Sequence, residues 1–179
     1  MPNPAIRAIC GFLVAAVSVL TFHQAMWEAL HLLAIPGMLM PEPYPMSHVI
    51  PFGVPRIANY AVWAGLWGAA FGLVLPRLKR PHWPWGLALG LLGAVIGLLI
   101  VPFVKRYQPG AGYLSLKSFT TMLTILMTYG LPIGAGLGSP LTWLRSFLID
   151  GSWGFGLGLM LPPLLRAIAR PPSEPPLRP

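Results

Sequence analysis

Four apolar stretches, residues 8–36, 57–76, 83–104 and 146–165, contain only two formal charges between them, Glu28 and Asp150. Crossing a hydrocarbon core of roughly 30 Å as a helix takes about 20 apolar residues. The pattern therefore predicts an all-α, polytopic transmembrane helix bundle, with spans over about 8–35, 57–76, 83–104 and 146–165. Charged residues make up only 9% of the 179-residue chain, against about 25% in a soluble domain. The length suits one transmembrane domain, residues 1–170, followed by a flexible proline-rich tail, 171–179.

The net charge of +8 does not point to nucleic acid, because the bases fall in short clusters between the apolar runs, where span-flanking charges belong. The single cysteine, Cys10, excludes an internal disulfide. The N-terminus opens like a signal peptide, one Arg before an apolar run. That run continues through His23, Glu28 and His31 without a small-x-small cleavage site, so it reads as an uncleaved first span. At 28 residues it is about 42 Å long and must tilt or leave its last turn in the interface. Pro36-Gly37 ends it, and the proline-rich loop that follows is expected to be extended and irregular.

Residues 118–144 are uncharged but broken by Gly130, Pro132, Gly134, Gly136, Gly138 and Pro140. They read as a re-entrant segment or as a fifth span. Four spans with a cytoplasmic N-terminus put Arg7, Arg77, Lys79, Arg80, Arg166, Arg170 and Arg178 inside, against Arg56, Lys105, Arg106, Lys117 and Arg145 outside. That balance, seven to five, follows the positive-inside bias, and five spans would reverse it. An internal repeat agrees. GLWGAAFGLVLP (65–76) and GSWGFGLGLMLP (151–162) share seven of twelve positions. A duplicated hairpin runs both copies the same way, as four spans require, whereas five spans would invert them.

Small residues recur every four positions at Ala64, Gly68 and Gly72, at Gly86 and Gly90, at Gly93 and Gly97, and at Gly154 and Gly158. Such stripes let helix backbones approach closely in lipid, and they are read here as helix-packing positions. Polar residues inside spans are costly and need a partner or a role. His23, Trp27, His31, Gln24 and Glu28 share one side of the first helix at about 100° per residue. In the four-span arrangement Glu28, His31, Asn59, Tyr60, Arg145 and Asp150 lie at similar depth and form a candidate buried polar cluster. The loop residues Glu42, Tyr44 and His48 would roof it. The cluster is either an ion-pair network or a site for a proton or small solute.

No metal site is expected: His23 and His31 are about 12 Å apart along the helix, and no Cys or His/Glu motif matches them. A pigment or haem on either histidine stays open, but no cofactor is assigned. No nucleophile elbow, Walker loop or dinucleotide fingerprint is present, so no enzyme activity is expected.

The elements TFHQ (21–24), PFGVP (51–55), GLWGAAFGLVLPR (65–77) and DGSWGFGLGL (150–159) resemble those of an uncharacterised family of small multi-pass bacterial inner-membrane proteins. The resemblance implies four spans and a bacterial inner-membrane location, and carries no activity. Residues 105–144 depart from it as extra length. The expected partners are the lipid bilayer and either another membrane protein or further copies of the chain. Two function classes follow: an accessory or assembly subunit acting through helix packing, and a small oligomeric transporter or channel for a proton-coupled or small solute.

Overall fold

A computed structural model describes residues 2–49, 53–106 and 140–169. Asn3 caps the first helix, its side-chain oxygen accepting from the Ile6 N–H at 2.9 Å, and Pro4 sits where its missing N–H costs nothing. The helix runs as α1 (Pro4–Ser18), passes through a π-helical turn (Val19–His23) and continues as α2 (Gln24–Leu33). Ala34 closes it three residues before the Gly, in the left-handed conformation at φ 46°.

The proline-rich loop has only a two-residue antiparallel ladder, β1 (His48–Val49) with β2 (Val54–Pro55). It nevertheless does a specific task at the start of α3 (Arg56–Val74). The carbonyls of Ser47 and Pro45 accept from the Arg56 and Ile57 N–H groups, which no helix could satisfy internally. A 3-10 turn (Leu75–Arg77) ends α3. Then come α4 (Trp83–Arg106) and α5 (Pro140–Ile168). The last helix begins at Pro140, so residues 140–144, assigned above to a separate apolar segment, belong to it; the remainder of 118–144 lies outside the described residues.

Among the described residues, three helices are long and apolar enough to cross a membrane: Pro4–Leu33, Arg56–Arg77 and Pro140–Ile168. The stretch Trp83–Leu98 of α4 is apolar as well. The α1 helix packs between α3 and α5, and α4 packs on α5. Cys10, Val14 and Ala15 of α1 and Val19 of the π turn meet Phe71 of α3, Leu75 of the 3-10 turn and Trp153, Leu157, Leu161 and Leu165 of α5 in one apolar core.

The closest approaches are made by glycine. A Cβ on Gly68 would strike the Gly11 carbonyl, and one on Gly11 the Gly68 carbonyl; Gly154 and Gly86 exclude each other's Cβ in the same way. The repeat read from sequence is thereby matched contact for contact. Gly68 meets Gly11 and Ala15 where Gly154 meets Gly86 and Gly90, and Gly72 abuts the Arg7 carbonyl where Gly158 abuts that of His82. The α1/α3 hairpin and the α4/α5 hairpin are two editions of one motif.

Direction follows from the contacts. Rising numbers on α1 meet falling numbers on both α3 and α5, so α3 and α5 run the same way. The two copies are a direct repeat, not an inverted one. As a result, Arg7, Arg77, Lys79, Arg80 and Arg166 gather at one end of the bundle. The loop between α2 and α3, with Arg145, lies at the other.

Candidate functional site

The π turn is where the polar groups converge. Ser18 and His23 are five residues apart, which on a regular α-helix separates them by about 140°. One wider turn brings both onto the face that meets α5. Ser18 Oγ donates to the Trp153 carbonyl at 2.7 Å, and Trp153 Nε1 donates back to the Ala15 carbonyl at 3.0 Å. Ser152 Oγ shares its one proton between the Ile149 carbonyl of its own helix at 2.7 Å and the Phe22 carbonyl at 3.0 Å. One turn further along, His23 Nε2 faces Asp150 Oδ1 at 3.9 Å. That is ion-pair distance, longer than a hydrogen bond.

The hydrogen bonds fix the histidine tautomer. Gln24, 1% exposed, uses its Oε1 to accept the Tyr44 backbone N–H at 2.6 Å. Its amide must then present Nε2 to His23 Nδ1, 3.0 Å away, and that N–H donates. A ring nitrogen that accepts carries no proton, so the proton of a neutral His23 sits on Nε2, the atom aimed at Asp150. Tyr44 holds this chain of bonds from the loop side. Its φ of 53° turns its N–H inward, and its hydroxyl donates to the Leu20 carbonyl within the π turn at 3.0 Å. The rings of Trp27 and Tyr60 stand 5.9 and 6.0 Å from that of His23, so the imidazole sits among aromatic rings.

The pair lies deep. Ten residues separate His23 from the end of α2 and ten separate Asp150 from the start of α5, about 15 Å of helix in each case. A histidine N–H aimed at a carboxylate has the polarity a proton transfer needs, and the 3.9 Å between them must first close to hydrogen-bond distance.

The six residues of the candidate polar cluster are distributed as follows. Tyr60 and Asp150 both adjoin His23. His31 instead donates from Nδ1 to the Met40 carbonyl at 2.8 Å, and Arg145 reaches the Leu39 carbonyl at 3.3 Å. Together with Trp27 Nε1, which donates to the Pro41 carbonyl at 2.8 Å, they clip the loop segment 39–41 onto the helices. Met38 is buried there against Leu30 and Ile149. Glu28 and Asn59 have no hydrogen-bond or ion-pair partner among the described residues, and Glu42 and His48 are exposed. Of the packing positions, Gly68, Gly72, Gly86, Gly90, Gly154 and Gly158 sit at backbone contacts, and Ala64 adjoins the core. Gly93 and Gly97 face open space among the described residues.

His23 and Gln24 stand at the centre of the site, although the sequence cluster left them out. The signal for them was present, since both are polar residues in a span on the Trp27 side of the helix. What it lacked was the π turn that points them at Asp150. Among the described residues no three His, Cys, Asp or Glu side chains come together to hold a metal. Comparison of the chain with known protein families, with curated proteins and with solved structures returns no match.

Proposed function

We propose that this chain is a four-span protein of a bacterial inner membrane, its basic end cytoplasmic, acting as an accessory or assembly subunit that packs against other membrane helices. The observation that carries this reading is an interface used once and present twice. Inside the chain, hairpin meets hairpin where Trp153 of α5 inserts against Ala15 and Ser18 of α1. By the register of the repeat, Trp67 of α3 corresponds to Trp153, and Gly90 and Gly93 of α4 correspond to Ala15 and Ser18. Trp153 is 5% exposed and Trp67 is 38% exposed. Beside Trp67, Trp63 and Leu66 are also exposed, and an added Cβ at Gly93 or Gly97 meets nothing among the described residues. A projecting indole on one flank and a stripe of bare backbone on the other are the two halves of a helix-packing contact. The positive-inside bias supports the orientation, with Arg7, Arg77, Lys79, Arg80 and Arg166 at one end.

A second reading, proton-coupled movement of a small solute, is favoured by the His23–Asp150 pair, since ionisable groups within spans mark proton or ion paths. One experiment separates the two: purification from native membranes in a gentle detergent, followed by native mass spectrometry and thermal melting. Recovery within a defined larger complex, lost in a Trp67→Ala variant, supports the subunit reading. A self-oligomer whose melting midpoint rises with one solute, and no longer does so in Asp150→Asn, supports transport. Recovery of a bare monomer with neither response rejects both.

A further inference from the structure

At the basic end, an open groove of about 570 Å³ lies between the α3–α4 turn, the start of α4 and the end of α5. Its walls include Arg80, His82, Trp83, Gly158, Leu159 and Arg166, together with the adjacent prolines Pro162 and Pro163. Three features of these walls bear on what fits. The first is charge: Arg80 and Arg166 stand beside His82, whose pKa is lowered by burial first and by their repulsion second, against a hydrogen bond to the Leu78 backbone that raises it. Among the described residues no acidic side chain lines the groove. The second is backbone chemistry. Pro162 and Pro163 lie inside α5 and lack the N–H groups that would bond the carbonyls of Gly158 and Leu159. Both of those residues line the groove with Arg80 and Arg166, and Arg166 Nε donates to the Pro162 carbonyl at 3.3 Å. The third is position. Trp83, 43% exposed, and Leu159, 48% exposed, continue the groove onto the apolar flank of the bundle, and an indole at a helix end is a membrane-interface residue.

The geometry points to a binding site for one glycerophospholipid headgroup, whose phosphodiester is held by Arg80 and Arg166 and whose terminal hydroxyl or ammonium donates to the carbonyls of Gly158 and Leu159. Guanidinium–phosphate pairs are charge-assisted and directional, and basic pockets between spans on the cytoplasmic side suit anionic headgroups. The carbonyls add a demand that charge alone does not make. Phosphatidylglycerol and phosphatidylethanolamine carry donors beyond the phosphate, whereas the trimethylammonium of phosphatidylcholine carries none. The acyl chains would run past Trp83 and Leu159 into the bilayer.

The test is native mass spectrometry of the full chain, delipidated in neutral detergent and titrated with phosphatidylglycerol, phosphatidylethanolamine or phosphatidylcholine of matched acyl chains. A single phosphatidylglycerol should be retained about tenfold more tightly than phosphatidylcholine, with phosphatidylethanolamine between them. An Arg80→Gln/Arg166→Gln variant, altered only at exposed side chains, should bind phosphatidylglycerol about tenfold more weakly. Arg56→Gln, at the opposite end, should bind it as the wild type does. Pro163→Ala returns an N–H to the Leu159 carbonyl and should narrow the gap between phosphatidylglycerol and phosphatidylcholine. Unchanged retention in the double arginine variant would reduce the lipid to an ordinary annular one and overturn the site. Displacement of the lipid by millimolar inorganic phosphate would overturn it in favour of a soluble phosphoester, and an unchanged gap in Pro163→Ala would overturn the role of the carbonyls.

Discussion

At the scale of single residues, the least replaceable side chain is Gln24, because it decides where a proton resides on its neighbour. Its two ends are committed, one to the Tyr44 N–H and the other to His23 Nδ1. Glutamate in its place has the same shape and no donor. In Gln24→Glu the carboxylate accepts from Tyr44 and must also accept from His23, so the imidazole proton moves to Nδ1 or the ring becomes doubly protonated. Nitrogen-15 spectra of the histidine side chains should show the Nε2–H tautomer for His23 in the wild type and its loss in the variant. An unchanged tautomer would mean that the Tyr44–Gln24–His23 chain does not set the ring. This relay was only half legible beforehand. The polar side of the first helix could be read from spacing, and Asp150 stood out as an acid in a span. Their meeting could not be read, because periodicity assumes an unbroken α-helix and the π turn of Val19–His23 breaks that assumption. The sequence also placed His31 in a buried cluster with Glu28, whereas His31 bonds the Met40 carbonyl, a partner that exists only once the loop has folded back.

Among the helices, the glycine stripes separate into two kinds that composition does not distinguish. Gly154 and Gly86 each leave room for the other's carbonyl, while Gly93 and Gly97, spaced identically, meet nothing among the described residues. A side chain at Gly154 must push α4 from α5, and overpacking of this kind costs about 1–3 kcal/mol. Gly154→Leu should therefore lower the unfolding midpoint in detergent, measured by denaturant titration of tryptophan fluorescence. Gly93→Leu should leave the midpoint of the isolated chain in place while weakening its recovery with partner helices. Equal loss in both variants would show that the two stripes do the same work within the chain. The helices themselves were readable, since an uncharged run of 20 residues has few alternatives in lipid. Their ends were less so. The last helix begins at Pro140, because proline is welcome in a first turn where no N–H is needed, whereas the sequence reading took that residue for a breaker.

For the molecule as a whole, the informative property is the common sense of the two hairpins. Gly68 and Gly154 occupy equivalent places, and α3 and α5 run parallel. The twelve-residue repeat anticipated this, because seven shared positions include the glycines that make the contacts. The site departs from the symmetry: the counterpart of Asp150 is Ala64, so one copy alone carries the acid. Because α4 and α5 are antiparallel neighbours, Arg106 and Pro140 lie toward the same end of the bundle. Replacing residues 107–139 with a short glycine–serine turn should leave both hairpins assembled. The measurement is the unfolding midpoint in detergent, followed by tryptophan fluorescence, which should match that of the full chain. A lowered midpoint would show that the excised stretch helps to hold the hairpins together.

Two like-handed units threaded the same way leave a junction whose entrance and exit share one end of the bundle. The length of chain that joins Arg106 to Pro140 can therefore change without turning either half upside down.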